Sequence, residues 1–292
     1  MQPERPPFGY PVAVPVVDAH THVFPPSQRQ GRAEIASRDA AFAEIYANPE
    51  AALAEVTGLL GAIQRAGVDR AVAAGFAFTQ PAQIETQNRF LLFEGRDERI
   101  APLATLNLVH ARWRATAEQA LADGARGFGE LRPHNQGWDP LGPASNELCE
   151  LAGANGLPLL WHVSEPVGHA YPGKHGGISP VELIQLAAAH PATIMVAAHL
   201  GGGLSFYLEM PEVRAAIENV YFDTAAVPLL YAMESVARLV DLAGSHRVLF
   251  ASDYPLQSPL RQLERLRAVL TAEAAQAVCG GNADRLFFGL RN

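Results

Sequence analysis

Short apolar segments alternate with helix-like segments along most of the chain, and this alternation restricts the folds that are open to it. Eight apolar segments can be assigned as strands, at residues 16–22, 70–76, 100–107, 127–132, 157–162, 193–199, 220–224 and 248–253. Near-continuous apolar runs between helices are typical of parallel strands that are covered on both faces. Eight strand–helix units in 292 residues predict an α/β fold, a (β/α)8 TIM barrel, because that fold takes about 250 residues.

An open, doubly wound sheet is the competing architecture. It predicts a glycine-rich phosphate-binding loop after an early strand, and the sequence has none there. We therefore expect a single barrel domain over residues 1–292, with residues 1–14 as an N-terminal extension. A longer excursion, residues 24–46, follows the first strand, and a helix is predicted over residues 49–66 behind Asn48 as its N-cap.

Composition and charge exclude several classes of protein. The chain has 49% apolar and 18% charged residues, which is typical of a globular domain. Its 22 basic and 30 acidic side chains give a net charge of −8 without a basic block, so neither nucleic acid nor a membrane is expected as a partner. No apolar run approaches the ~20 residues of a membrane span, and residues 1–15 contain no apolar signal-peptide core. With Cys149 and Cys279 as isolated thiols, we expect a cytoplasmic protein.

Histidines and carboxylates close the predicted strands. His20 and His22 end the first strand and, being two residues apart, project from the same face. The ends of later strands add Glu130, His162, His199 and Asp253, and Asn107 and Asp223 occupy the equivalent places on strands three and seven. A single histidine at a strand end is more often a hydrogen-bonded structural residue than a ligand. The carboxyl ends of barrel strands meet at one mouth, however, so four histidines and one aspartate there favour a shared site.

The residue types at these strand ends predict metal chemistry. Imidazole nitrogens with one carboxylate are ligands for Zn²⁺ or a similar divalent ion that keeps one position open for water. Such an ion would lower the pKa of its water towards neutrality and polarise a substrate oxygen. A neighbouring carboxylate can accept the proton of that water, and an imidazole with a pKa of about 6.5 can shuttle it.

The chain resembles the amidohydrolase superfamily in four motifs, which are Asp18-Ala19-His20-Thr21-His22, Trp161-His162, Ala198-His199-Leu200-Gly201-Gly202 and Ser252-Asp253-Tyr254-Pro255. It looks most like the amidohydrolase-related branch that includes α-amino-β-carboxymuconate-ε-semialdehyde decarboxylase and related decarboxylases and hydrolases. The resemblance extends from Asp18 to Phe288 and is specific for the superfamily, and much less so for one reaction.

The resemblance implies roles for individual residues. His20, His22 and His162 match metal ligands, and Asp253 matches the residue that binds metal or holds the nucleophilic water. His199 matches a histidine that is a second-metal ligand in members with two ions and a catalytic acid–base or substrate contact in members with one. We therefore expect Asp253 and His199 to be catalytic, with one Zn²⁺ per chain, or two.

Glu130 departs from the pattern of many superfamily members with two ions, which bridge them with a carboxylated lysine at the end of strand four. Some superfamily hydrolases have a glutamate at this place, which implies that Glu130 could be a metal ligand. Three roles stay open for it, namely bridging two ions, orienting a ligand histidine, and pairing with Arg132.

The loops after strands four and five are rich in polar and aromatic residues. We expect substrate contacts from Arg132, His134, His169, Tyr171 and Lys174. An arginine fork can bind a substrate carboxylate through two parallel hydrogen bonds. The alternative is that these residues are solvated or make contacts within a lid-like loop.

Three functions compete for this chain. The leading hypothesis is a hydrolase in which metal-activated water attacks an amide, ester or lactone-like bond of a small substrate. The second is a metal-dependent non-oxidative decarboxylase (a lyase) of an aromatic or muconate-type acid, because the same ligands would serve both reactions. The third is a barrel that binds metal without catalysis. The resemblance also implies a dimer or larger homo-oligomer.

Overall fold

The computed structural model describes residues 14–289, so the expected N-terminal extension, residues 1–14, lies outside the described residues except for Val14. Eight parallel strands form one sheet whose spatial order follows the sequence. They are β1 (Val17–His22), β2 (Arg70–Ala74), β3 (Ile100–Ala104), β4 (Gly127–Leu131), β5 (Leu159–Trp161), β6 (Met195–Ala197), β7 (Val220–Asp223) and β8 (Val248–Leu249).

The sheet closes on itself where the chain after β8 meets β1. The Ala19 N–H donates to the Phe250 carbonyl at 2.8 Å, and the His22 N–H donates to the Tyr254 carbonyl at 2.6 Å. These bonds continue the parallel pairing of the other strands around the ring. The structure is therefore a (β/α)8 barrel, as the alternation of apolar and helical segments predicts.

Helices connect the strands and cover the outside of the barrel. They are α1 (Pro26–Gln30), α2 (Arg32–Ala36), α3 (Ala40–Tyr46), α4 (Val56–Ala66), α5 (Pro81–Arg89), α6 (Trp113–Ala122), α7 (Pro133–Gln136), α8 (Pro143–Ala154), α9 (Pro180–Ala189), α10 (Pro211–Ala216), α11 (Val227–Leu230), α12 (Glu234–Ala243), α13 (Pro259–Val269) and α14 (Ala272–Gln276). Proline lies in the first turn of several of these helices. A backbone N–H there has no acceptor within the helix, so the absence of an N–H in proline removes no hydrogen bond. Within the described residues, no helix combines the length and the apolar character that crossing a membrane requires.

The helix predicted over residues 49–66 begins later than expected. The Asn48 side chain accepts from the Glu50 N–H at 3.0 Å and so forms a local turn instead of a helix cap. Helix α4 begins after Glu55 and ends at Gly67, whose φ of 64° is a left-handed value that glycine adopts readily. The long excursion after β1 contains the three short helices α1, α2 and α3.

The apolar core has two layers, one on each side of the strands. Small and branched side chains fill the barrel interior, among them Val72, Leu103 and Val196, and Phe287 from the C-terminal segment packs with them. The outer layer lies between strands and helices and contains Trp161, which is fully buried with its ring centroid 5.9 Å from that of Trp138. Trp161 thus packs away from the barrel interior, as strand alternation predicts for the residue before His162.

All eight strands are shorter than predicted, and in β6 and β8 the difference falls on two candidate site residues. β6 ends at Ala197 and β8 ends at Leu249, so His199 and Asp253 lie in the loops that follow. Their φ values of 58° and 59° are left-handed, and a strand cannot contain such a residue. The strand predictions over 193–199 and 248–253 were therefore too long at their carboxyl ends.

Candidate metal centre

Six polar side chains converge at the carboxyl end of the barrel, and none is more than 9% exposed. They form two groups of three whose potential ligand atoms lie within 4.8 Å of one another, one of His20, His22 and Asp253 and one of Glu130, His162 and His199. These are the six strand-end residues selected from the sequence. The fold brings them together, and their role as metal ligands stays a prediction at this point.

Each histidine of β1 is held in one tautomer. The Nδ1–H of His20 donates to Asp223 Oδ2 at 2.8 Å, and the Nδ1–H of His22 donates to the Gly75 carbonyl at 3.1 Å. With Nδ1 protonated in both neutral rings, each Nε2 has a free lone pair. The two Nε2 atoms face each other at 3.1 Å.

Two opposed lone pairs at this distance repel each other unless a proton or a metal ion lies between them. A metal ion with two imidazole ligands at 2.0–2.1 Å in tetrahedral geometry places the two nitrogens about 3.3 Å apart. Asp253 Oδ1 lies 3.5 Å from His22 Nε2 and adds a negative charge to the same group. The donor set and its spacing therefore fit a divalent metal ion.

Glu130 links the two groups. Its Oε1 accepts from His162 Nδ1 at 2.8 Å and lies 3.6 Å from His199 Nε2. Oε1 and Oε2 also lie 3.9 Å and 3.7 Å from the Nε2 atoms of His20 and His22. This position suits both the bridging role and the orientation of His162. The third role considered, an ion pair with Arg132, does not occur among residues 14–289. The Arg132 side chain instead donates to the carbonyls of Gly173 and His175 in the loop after β5, residues 162–179, called the β5 loop below.

The charges in the cluster shift the pKa values of its members strongly. Burial alone would raise the pKa of Glu130, but His162, His199 and His20 hold it well below the ordinary value. Burial would lower the pKa of His20, but Asp223 and Glu130 raise it to about 10. The pKa of His22 is lowered by burial and by the charge of His20. His20 therefore favours its protonated, positively charged form, whereas His22 favours its neutral form.

The loop residues of the cluster are held by backbone contacts. His199 donates through its N–H to Asp223 Oδ1 at 2.9 Å and through Nδ1 to the Ala225 carbonyl at 3.1 Å. The Asp253 N–H donates to the His20 carbonyl at 3.0 Å. A left-handed backbone at a residue other than glycine costs about 1–3 kcal/mol and is concentrated at functional sites. These contacts stabilise the strained conformation that aims both side chains into the cluster.

Asp223 is the residue whose role the sequence left unassigned. It ends β7, is fully buried, and accepts hydrogen bonds from His20 Nδ1 and from the N–H groups of His199 and Ala225. It therefore fixes the tautomer of one candidate ligand and the backbone of another. The only indication of this role in the sequence was the position of Asp223 at the end of a predicted strand. Ser164 was also missed, and its hydroxyl lies 3.0 Å from His162 Nε2.

A family model described as Amidohydrolase matches residues 17–289. The chain belongs to this enzyme family. The alternative of a barrel without catalysis is therefore set aside. Among curated proteins, none matches this chain.

Solved structures confirm the fold of this amidohydrolase. The 5-carboxyvanillate decarboxylase of Sphingomonas paucimobilis is 18% identical, with a TM-score of 0.72 over 94% of this chain and 99% of that one. A dihydroxybenzoic acid decarboxylase of Polaromonas sp. JS666, solved with bound manganese and the inhibitor 2-nitroresorcinol, is 13% identical, with a TM-score of 0.68 over 94% and 97%. A putative 2-pyrone-4,6-dicarboxylic acid hydrolase of Pseudomonas putida is 19% identical, with a TM-score of 0.66 over 96% and 100%. At these identities the likeness shows the shared barrel.

The β5 loop of this amidohydrolase contains three of the expected substrate contacts. Lys174 is buried and donates through Nζ to the carbonyls of Val167 and His169 at 2.6 and 2.8 Å. The Tyr171 hydroxyl donates to Glu165 at 3.0 Å, and its ring lies 5.6 Å from that of His169. These side chains hold the loop in shape in this conformation, and substrate binding by them stays a prediction.

The two expected contacts that follow β4 lie apart from each other. His134 is exposed, and its Nε2 lies 3.2 Å from Glu182 in the capping box of α9. Arg132 is buried and donates through Nη2 to the carbonyls of Gly173 and His175 at 2.7 and 2.8 Å. Arg132 therefore ties the end of β4 to the β5 loop, whereas the exposed His134 contacts the start of α9.

Proposed function

We propose that this amidohydrolase is a metal-dependent, non-oxidative decarboxylase of an aromatic or muconate-type acid. The observation on which the proposal rests is the burial of the whole ligand cluster, all six members of which are at most 9% exposed. A carboxylate is strongly stabilised by water, and loss of CO2 disperses its charge, so a dry, preorganised site favours this reaction. Hydrolysis, the leading hypothesis from the sequence, needs water beside the cluster.

The names of the structural neighbours support the same choice. Two of the three described above are named as decarboxylases of hydroxylated aromatic acids. Their low identity limits them to a supporting role, so the reaction depends on the site argument and its test.

The residues that would hold the metal ion are His20, His22 and Asp253, with Glu130 or His162 completing the set. A divalent ion bound there supplies positive charge that polarises the oxygens of the substrate. Zinc is the ion expected from the sequence, and manganese, which is bound in the Polaromonas structure, accepts the same mixture of imidazole and carboxylate. The Polaromonas structure contains a small-molecule inhibitor, which supports a small-molecule substrate here.

The reaction needs a proton at the carbon that loses CO2. The carbon–carbon bond breaks, its electron pair stays on the ring carbon, and a proton must reach that carbon. His199 is placed for this because its Nδ1 is used by the Ala225 carbonyl, which leaves Nε2 facing the cluster. Asp253 lies across the cluster and can hold or return a proton. Solvent restores the proton to His199 after the product leaves.

Product analysis with the metal-loaded protein tests the proposal. The acids to be tried are 5-carboxyvanillate and 2,6-dihydroxybenzoate, with 2-pyrone-4,6-dicarboxylate as the hydrolytic comparison. We expect CO2 release from an aromatic acid, lost in His199→Gln and retained in the control His246→Gln, whose imidazole is exposed and remote from the cluster. Opening of the pyrone without CO2 release from any acid would refute the decarboxylase.

One observation keeps hydrolysis as the second candidate. Glu130 has an oxygen within 4 Å of the Nε2 atoms of both His20 and His199, a position that suits a carboxylate shared between two ions. Elemental analysis of unchelated protein separates the cases. One ion per chain leaves His199 free as the proton donor, whereas two ions would engage His199 and Glu130 as ligands and favour hydrolysis.

A further inference from the structure

Asp18 and Ser252 form a hydrogen-bonded pair where the barrel closes between β1 and the chain after β8. Both side chains are fully buried. The Ser252 N–H donates to Asp18 Oδ1 at 2.9 Å, and the Ser252 hydroxyl donates to Asp18 Oδ2 at 2.5 Å. Both oxygens of one carboxyl group thus contact a single residue that lies 234 positions away in the sequence. This pair is called the seam clasp below.

Ser252 also contacts the residue on the other side of Asp253. Its Oγ accepts from the Tyr254 N–H at 3.1 Å, a local bond from a side chain to the backbone that serine often forms. One hydroxyl therefore fixes the residues before and after Asp253. Asp253 itself has the left-handed φ of 59°, a strained value for a residue other than glycine, so its conformation depends on such contacts.

The seam clasp lies at an irregular place in β1. The register between β1 and β2 shifts between Asp18 and Thr21. Irregularities of this kind are common beside active sites, where they change the direction of a side chain. His20 lies inside the shifted segment, and its carbonyl accepts from the Asp253 N–H at 3.0 Å. The clasp and this backbone bond together hold the strand of His20 and His22 against the loop of Asp253.

The direction of the Asp253 carboxylate is set by its backbone. Its Oδ1 lies 3.5 Å from His22 Nε2, and within residues 14–289 no hydrogen bond orients the carboxylate. The candidate ligands His20 and His22, by contrast, are each oriented by a hydrogen bond to Nδ1. A ligand without such a partner relies on the groups that hold its main chain, and for Asp253 these include the seam clasp.

We propose that Asp18 and Ser252 are positioning residues for Asp253 and thereby set the affinity of the site for a divalent ion. The inference rests on the metal-dependent part of the proposed function and is independent of the reaction. Groups that are already held in the binding geometry bind more tightly, because less order has to be gained on binding. The seam clasp supplies this order without contributing a ligand.

Titration of chelator-treated protein with Zn²⁺ and with Co²⁺ tests the seam clasp without turnover. Ser252→Ala removes the hydroxyl and should weaken the binding of both ions about 10-fold, as expected for a residue that orients a ligand. The visible absorption of bound Co²⁺ should also change, because it depends on the geometry of the ligands. Asp18→Asn should weaken binding in the same direction, since the Ser252 hydroxyl loses its acceptor.

Two comparisons separate positioning from general stability. Thr193→Val removes another buried hydroxyl, which donates to the Cys149 carbonyl at 2.7 Å and lies before β6, at the opposite end of that strand from His199. It should lower the melting temperature but leave the Zn²⁺ affinity within about twofold. Asp253→Gly removes the carboxylate and accepts the left-handed φ. Adding Ser252→Ala to this variant should weaken Zn²⁺ binding no further, since Ser252 acts through Asp253.

Three results would overturn the seam clasp. These are an unchanged Zn²⁺ affinity in Ser252→Ala, an equal loss in Thr193→Val, and additive losses in the double variant. A wild type that binds neither ion would overturn the clasp together with the metal-dependent function. Failure of the reaction alone is a different result. A chain that shows the expected loss of affinity in Ser252→Ala, yet releases no CO2 from any acid, keeps the clasp and loses only the decarboxylase assignment.

Discussion

Replacing Asp223 by asparagine should reverse the tautomer of His20 and thereby weaken metal binding. Asp223 Oδ1 accepts from two backbone N–H groups, those of His199 at 2.9 Å and Ala225 at 3.0 Å. In Asp223→Asn these two donors keep the amide oxygen on their side, so the NH2 group must face His20. That NH2 group then lies where Oδ2 accepts from His20 Nδ1 at 2.8 Å. Two donors would oppose each other, and the imidazole relieves this by moving its proton to Nε2.

The expected effect follows from the loss of one ligand lone pair. Removing the partner that orients a metal-bound histidine weakens metal affinity about 10–100-fold, which is about 1.4–2.7 kcal/mol. Titration of chelator-treated protein with Zn²⁺ or Mn²⁺ measures the affinity, and nitrogen NMR of the imidazoles reports the tautomer. Asp241→Asn, at an exposed aspartate, is the matched control. An affinity within about twofold of the wild type, with His20 still protonated at Nδ1, would refute the reasoning.

Three further outcomes are expected. Chelation should lower the melting temperature and Zn²⁺ or Mn²⁺ should restore it, because an ion that binds only the folded chain stabilises it; an unchanged melting temperature would argue against the site. Gly202→Ala should lower the free energy of unfolding in urea by about 2–5 kcal/mol, because φ at Gly202 is 58° and the new Cβ would lie 2.6 Å from the Ser164 backbone. Gly67→Ala is the matched control. Gly67 is also left-handed but has open space around the new Cβ, so this variant should lose only about 1–2 kcal/mol. Equal losses would contradict this.

The third outcome is a pH dependence at Glu182. Burial raises the pKa of Glu182, but the Ser179 cap and His134 lower it below its ordinary value of 4.5. Since the folded form has the lower pKa, the stabilisation is complete at neutral pH and is lost as the pH falls below that value. Glu182→Gln should therefore reduce the difference in unfolding free energy between pH 7 and pH 4; an unchanged difference would assign the pH dependence to other groups.

The local pattern of the chain was sufficient to predict the barrel and the members of the candidate metal centre. Near-continuous apolar runs specify strands that are buried on both faces, because each run must be covered by helices on the outside and by other strands' side chains within. Polar residues that end such runs stand out in sequence. His20, His22, Glu130 and His162 were therefore identifiable from their neighbours along the chain.

The remaining features depend on contacts between residues far apart in the sequence. The strands appeared to continue to His199 and Asp253 because their neighbours are apolar, whereas bonds to Asp223 and to the His20 backbone hold both residues in left-handed conformations. The partner of His20 is 203 positions away, and no local pattern signals such a pair.

The placement of Tyr46 and Arg132 was decided in the same way. Tyr46 ends the longer excursion predicted after the first strand, and its position depends on an aromatic cluster with Phe42 and Phe76. Arg132 was recognisable as a donor, but which of its N–H groups are free depends on carbonyls of the β5 loop. Sequence alone determined which residues reach the end of the barrel, because strand ends are local. Only the tertiary structure decided their tautomers, charges and free donors, because those are set by the groups that the closed fold brings against them.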